Sequence, residues 1–122
     1  DAMTAQLTEN DLLHFTGSET WHRHSLVRTV IYTDGIRFLA EKAGAYWLID
    51  EIAFAQKAEQ AVAAEAFQLW TLTVAADRSA HLTCEDGDGR TVWEKLIPFT
   101  DFPLGLVKVY FTDSTLLLPS EY

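Results

Sequence analysis

From Phe67 to its C-terminus the chain carries five β-rich runs, Phe67 to Ala75, Ala80 to Glu85, Arg90 to Ile97, Leu106 to Thr112 and Thr115 to Leu118, joined by short links. A parallel return needs a dozen or more residues. Links such as Asp77-Arg78, Asp86-Gly87-Asp88-Gly89, Pro98 to Pro103 and Asp113-Ser114 therefore favour antiparallel neighbours. Such a sheet has to bury one face against another layer. Ala45 to Gln56 supplies it, because Ala45, Leu48, Ile49, Ile52 and Ala55 fall on one side of a helix. The expected fold class is thus α+β, an antiparallel, meander-like sheet packed against one central helix with a short N-terminal helix. Lys57 to Glu65 has good helix propensity and few large apolar anchors, so both a continuation of that helix and a connection fit it.

The N-terminal helix is predicted from Thr8 and Asp11, which have the spacing of a capping arrangement. Leu12, Leu13 and Phe15 give it something to bury, and Gly17 is the expected stop. Between Trp21 and Ala40 the composition is again β-rich, and Asp34-Gly35 is a strong tight-turn signal. A two-residue hairpin loop there would set Arg28 opposite Glu41, Val30 opposite Leu39 and Tyr32 opposite Arg37. Thr29, Ile31, Ile36, Phe38 and Ala40 would form the other, buried face. The mixed face would be free to bind, or else covered by the N-terminal helix.

At 122 residues and 48% hydrophobic, the chain is expected to be one ordered domain spanning residues 3–122, with Asp1 and Ala2 read as a remnant ahead of Met3. Asp and Glu outnumber Lys and Arg by 18 to 9, and the formal charge of -9 repels phosphate backbones, so direct nucleic-acid binding is not expected. Arg23, Arg28 and Arg37 cluster with His22 and His24 as a small basic island. Cys84 is the sole cysteine, which excludes an intramolecular disulfide and suits a reducing compartment. With no apolar run approaching about 20 residues, no membrane partner is expected and the reading is cytoplasmic.

Several groups could carry chemistry, and each has a plainer use. His22 and His24, two apart, would project from the same face of a strand and could share a metal ion. No spacing identifies the remaining ligands, whether His14, His81 or a carboxylate, so neither a metal nor a cofactor is assigned. Asp86-Gly87-Asp88-Gly89 lacks the later ligands of a calcium loop and reads as a hairpin turn, with Glu85 facing Arg90 and His81 facing Glu94. Cys84 reads as a small apolar filler. Asp50 and Glu51 point different ways on the helix and make no acid/base pair. No catalytic residue is assigned. Among the tryptophans Trp21, Trp47, Trp70 and Trp93, the first borders the basic island and is the one expected to serve a surface.

The segments Phe15-Thr16-Gly17-Ser18-Glu19-Thr20-Trp21, Ala43-Gly44-Ala45-Tyr46-Trp47-Leu48-Ile49-Asp50-Glu51-Ile52 and Leu116-Leu117-Leu118-Pro119-Ser120-Glu121-Tyr122 resemble those of a family of small bacterial proteins of unknown function. Such proteins are often carried on mobile elements, and the resemblance implies an accessory role without supplying a reaction or site residues.

The leading functional expectation is a non-catalytic binding or assembly protein. A protein partner or a homodimer would contact Trp21, His22, His24, Val30, Tyr32, Arg37 and Leu39. One alternative is a small metal-dependent or hydrolytic enzyme using His22 and His24. Another is an acidic decoy of a DNA-binding protein, which would need its acids on one continuous face.

Overall fold

The computed structural model describes residues 7–16 and 20–122, so the expected stop at Gly17 and the residues around Met3 lie outside the described residues. The first helix, α1 (Glu9–Leu12), begins as expected: the Asp11 N–H donates to Thr8 Oγ1 and the Thr8 N–H to the Asp11 carboxylate. A short strand β1 (Trp21–Arg23) pairs antiparallel with β2 (Ile31–Thr33).

The chain then departs from the hairpin reading. Asp34-Gly35 is no turn; it opens the helix α2 (Asp34–Ala43). Thr33 is the N-cap, accepting the Ile36 N–H at 3.3 Å, and Gly44, in the left-handed region at φ 62°, ends the helix. Ile36, Leu39 and Ala40 satisfy a helical spacing, while Ile36, Phe38 and Ala40 satisfy a strand spacing, so periodicity alone leaves this stretch ambiguous. The glycine has another cause. The Glu121 carboxylate accepts the Gly35 N–H at 3.2 Å and the Thr33 hydroxyl at 2.6 Å, and a Cβ on Gly35 would meet that carboxylate at 2.6 to 2.8 Å. The C-terminal Pro-Ser-Glu segment thus locks onto the start of α2, an acid placed where a helix N-terminus favours one.

The central helix α3 (Tyr46–Ala58) buries Leu48, Ile49, Ile52 and Ala55, and Ala45 beside it, as its sequence predicts. The undecided stretch after it holds a separate short helix, α4 (Gln60–Ala63). The later strands follow the sequence expectation closely: β3 (Phe67–Val74), β4 (Ala80–Glu85), β5 (Thr91–Ile97), β6 (Leu106–Thr112) and β7 (Thr115–Leu117), with a final 3₁₀ turn at Pro119–Glu121.

Among the described residues the seven strands form one sheet in the order β1-β2-β7-β6-β3-β4-β5. The strands are mostly antiparallel, but β2 and β7 run parallel, joining strands far apart in sequence that no short link constrains. The expected meander with one helix is therefore too small a picture; the sheet is wider and four α-helices accompany it among the described residues.

One sheet face, with Trp70, Leu72, Leu82, Cys84, Val109 and Leu116, packs the core against α2 and α3. Both margins of the sheet turn in on α3. His24, just after β1, bonds Asp50 and lies edge-on to Phe54, while Lys95 of β5 pairs with Glu51. A buried amide network ties α3, α4 and β3 together: Gln56 and Gln68 bond each other, and Gln68 also donates to the Val62 and Glu65 carbonyls and accepts the Trp70 indole N–H.

Candidate functional site

The residues singled out from sequence do not form one surface. Val30 and Leu39 are 1% and 2% exposed and belong to the core, because α2 folds back over β2 instead of pairing with it as a strand. The pairs Arg28 with Glu41, Val30 with Leu39 and Tyr32 with Arg37 are consequently not cross-strand neighbours. Arg37 is an exposed side chain on α2, 3.6 Å from Glu41 one turn on. Trp21 is 52% exposed on β1.

His22 lies on β1 and His24 just after it, and each is engaged by its own carboxylate. His22 Nε2 lies 2.8 Å from Asp34 and packs on the Tyr32 ring; His24 Nε2 lies 2.7 Å from Asp50. His24 Nδ1 accepts the N–H groups of Leu26 and Val27, so the ring proton sits on Nε2 and goes to Asp50. That arrangement fixes the turn after β1 against α3. Burial raises the Tyr32 phenol pKa, with Tyr46, Asp50 and Glu41 adding to the rise and Arg37 opposing it. Among the described residues no group of three or more His, Cys, Asp or Glu side chains is placed to hold a metal ion.

Cys84 is fully buried on β4, and burial first, then Glu65, Glu85 and Asp86, push its thiol up to about 12. Asp86 organises the β4–β5 turn by accepting the N–H groups of Arg90 and Asp88, which hold its carboxyl below the usual range. The expected register does not hold: Glu85 stands opposite Thr91, not Arg90, and a further shift at Cys84/Glu85 sets Leu96 opposite His81, which reaches Glu94 only diagonally, at 2.7 Å.

Sequence reasoning missed a groove between α3 and β5. On its β5 flank α3 presents Trp47, Glu51, Phe54, Ala55 and Ala58, one stripe of the helix. Against it β5 sets Ile97, Lys95 and Trp93, alternate residues on one face of the strand. The Lys95–Glu51 ion pair, at 2.7 Å, divides the groove. On one side lies a pocket of about 280 Å³ lined by Trp47, Ile97, Phe99, Thr100 and Asp101; on the other, one of about 230 Å³ lined by Phe54, Ala55, Ala58, Glu59 and Trp93 with the ion pair.

The wall carrying Phe99 to Asp101 is held by Arg78, whose guanidinium donates to the Thr100 and Phe102 carbonyls while its own carbonyl accepts the Thr100 N–H. A second apolar stripe on α3, Trp47, Phe54 and Ala58, beside the buried one, was the available sequence signal. It was obscured because the buried stripe alone accounts for the helix.

These features define a mixed α/β protein with a seven-stranded, mostly antiparallel sheet and a two-pocket groove at one sheet margin. The chain belongs to the family of unknown function DUF6876, whose family model matches residues 6–122. No curated protein and no solved structure matches it. Among the described residues no helix is long and apolar enough to cross a membrane.

Proposed function

We propose that the protein is a non-catalytic binding or assembly protein whose contact surface is the α3–β5 groove. The observation that carries this reading is the groove itself: two pockets lined by Trp47, Phe54, Trp93, Ile97 and Phe99, open at the margin of the sheet. Phe54 and Phe99 are exposed and Trp47, Trp93 and Ile97 partly so, and such side chains gathered in a concavity, with a few charges to orient a partner, are what recognition sites are made of.

The use of the titratable groups supports the same reading. His22, His24 and His81 are each held by a carboxylate, Cys84 is buried, and Glu121 anchors α2. Of the sequence candidates, Trp21 is the one with a large exposed aromatic surface, and it lies on β1, at the other end of the sheet from β5. The ion-paired acids Asp34, Asp50, Glu41, Glu51, Asp86 and Glu94 are spread over α2, α3, the β4–β5 turn and β5, which gives no support to an acidic decoy.

Selection of displayed random peptides on the immobilised protein tests the reading, with Ala58→Arg, which fills one pocket from an exposed position, as the counter-target. Enriched peptides that bind the parent and lose at least tenfold in affinity for Ala58→Arg are expected. Peptides indifferent to that change, or no enrichment, would refute the groove as a binding surface.

A further inference from the structure

We propose that the outer edge of β5 takes an extended, basic peptide as an eighth strand, with two large apolar side chains four residues apart entering the two pockets. This rests on the binding reading above and adds the partner's chemistry and its mode of attachment.

The backbone supplies the first argument. Among the described residues β5 is the last strand of the sheet and pairs with β4 alone. The Val74 N–H donates to Gly105, beyond the β6 end of the ladder, so by alternation Thr73 and Thr71 turn their backbone groups to β4, and β4 meets them with His81 and Thr83. Ala80, Leu82 and Cys84 therefore face β5 and bond Ile97, Lys95 and Trp93. The N–H and C=O groups of Glu94 and Leu96 are left pointing out of the sheet, where an incoming strand would bond them. Leu96 is 76% exposed.

Spacing supplies the second. An added strand shows alternate side chains to α3, at the levels of Ile97, Lys95 and Trp93. Ile97 and Trp93 are four residues apart, about 13 Å along a strand, and each stands beside one pocket. Residues i and i+4 of the peptide fill the pockets, and residue i+2 passes over the Lys95–Glu51 pair.

Charge supplies the third. The pockets are rimmed by Glu51, Glu59 and Asp101 against the single Lys95, on a chain of formal charge -9. A basic strand is attracted and an acidic one repelled. A second copy of this chain is disfavoured as the occupant, because the antiparallel register that pairs all of β5 with itself sets Glu94 against Glu94.

The test is a titration of the full chain with the synthetic heptapeptide Lys-Phe-Lys-Thr-Lys-Phe-Lys, followed by amide NMR and hydrogen exchange. Strand addition predicts that exchange at the Glu94 and Leu96 amides slows at least tenfold, while the Trp93 and Lys95 amides, already bonded to β4, change little. N-methylation of the peptide at the two residues that bond Glu94 and Leu96 should weaken binding at least tenfold with the protein untouched. Replacing the peptide lysines by glutamates should abolish it, and added salt should weaken the basic peptide. Equal affinity for the N-methylated peptide, or shifts at the Trp47 and Trp93 indoles without slowed exchange at Glu94 and Leu96, would overturn strand addition while leaving the groove a binding site. No shift at any groove residue with the basic peptide would overturn strand addition, and the display selection would then decide the broader reading alone.

Discussion

Single side chains in this protein decide whole elements. Gly35 sits in the first turn of α2, where alanine would ordinarily be better by about 1 kcal/mol. Its neighbour Glu121 reverses that preference, because a Cβ would press on the carboxylate that holds the helix start. Gly35→Ala is therefore expected to destabilise the parent by about 1–3 kcal/mol, yet to be neutral or stabilising in a Glu121→Ala background. Denaturant titration of the four proteins in that cycle measures it, and an additive cycle would show that the two residues are not coupled.

Gln68 is 1% exposed and satisfies four partners, so Gln68→Leu leaves the Trp70 N–H and two carbonyls wanting. A loss of about 2–3 kcal/mol is expected in the same assay. Cys84 should be inert to thiol reagents in the folded protein at neutral pH and react at the rate of unfolding. Its folded pKa of about 12 lies above the ordinary 9.0, so its contribution to stability is intact below pH 9 and falls as pH rises from 9 towards 12, where only the unfolded thiol ionises freely.

At the level of elements, the turn chemistry assigned to Asp34-Gly35 is found instead at Asp113-Ser114, where φ values of 55° and 60° join β6 to β7 through a two-residue loop. Both residues are non-glycine in the left-handed region, so Ser114→Gly should raise stability by about 0.5–1 kcal/mol, read as a higher denaturant midpoint with unchanged slope. Ile49→Asp, on the buried stripe of α3, should unfold the protein, whereas Glu51→Ala should cost at most about 1 kcal/mol, the scale of an exposed ion pair. Circular dichroism on the two variants separates these outcomes.

The legibility of the elements follows from how local their causes are. β3 to β7 and α3 could be read because their patterns and links act over a few residues. The helical state of residues 34–43 could not, since its glycine answers to Glu121, more than eighty residues away. The spacing of His22 and His24 is local, but their carboxylate partners, Asp34 and Asp50, come from two different helices that no spacing announces. A strand pairing puts Val30 and Leu39 on a surface; the helix that forms instead puts both in the core.

For the whole molecule, the parallel join of β2 to β7 and the closing of both sheet margins on α3 create what the sequence could not display. One margin is tied down by His24 and Asp50; at the other, among the described residues, no strand lies beyond β5, which runs beside a second apolar stripe of α3. The central claim is that this margin, and neither the β1–β2 ribbon nor the sheet face carrying Phe67, Tyr110 and Tyr122, is the surface built for contact. It can be tested on the protein alone by mapping where a small aromatic probe settles. Phenol added to the labelled protein should shift the indole N–H signals of Trp47 and Trp93 together with the amides of Phe54, Ile97 and Phe99, leaving Trp21 and the Phe67–Tyr110 face in place. Shifts concentrated at Trp21 or on that sheet face, with the Trp47 and Trp93 signals unmoved, would contradict the account.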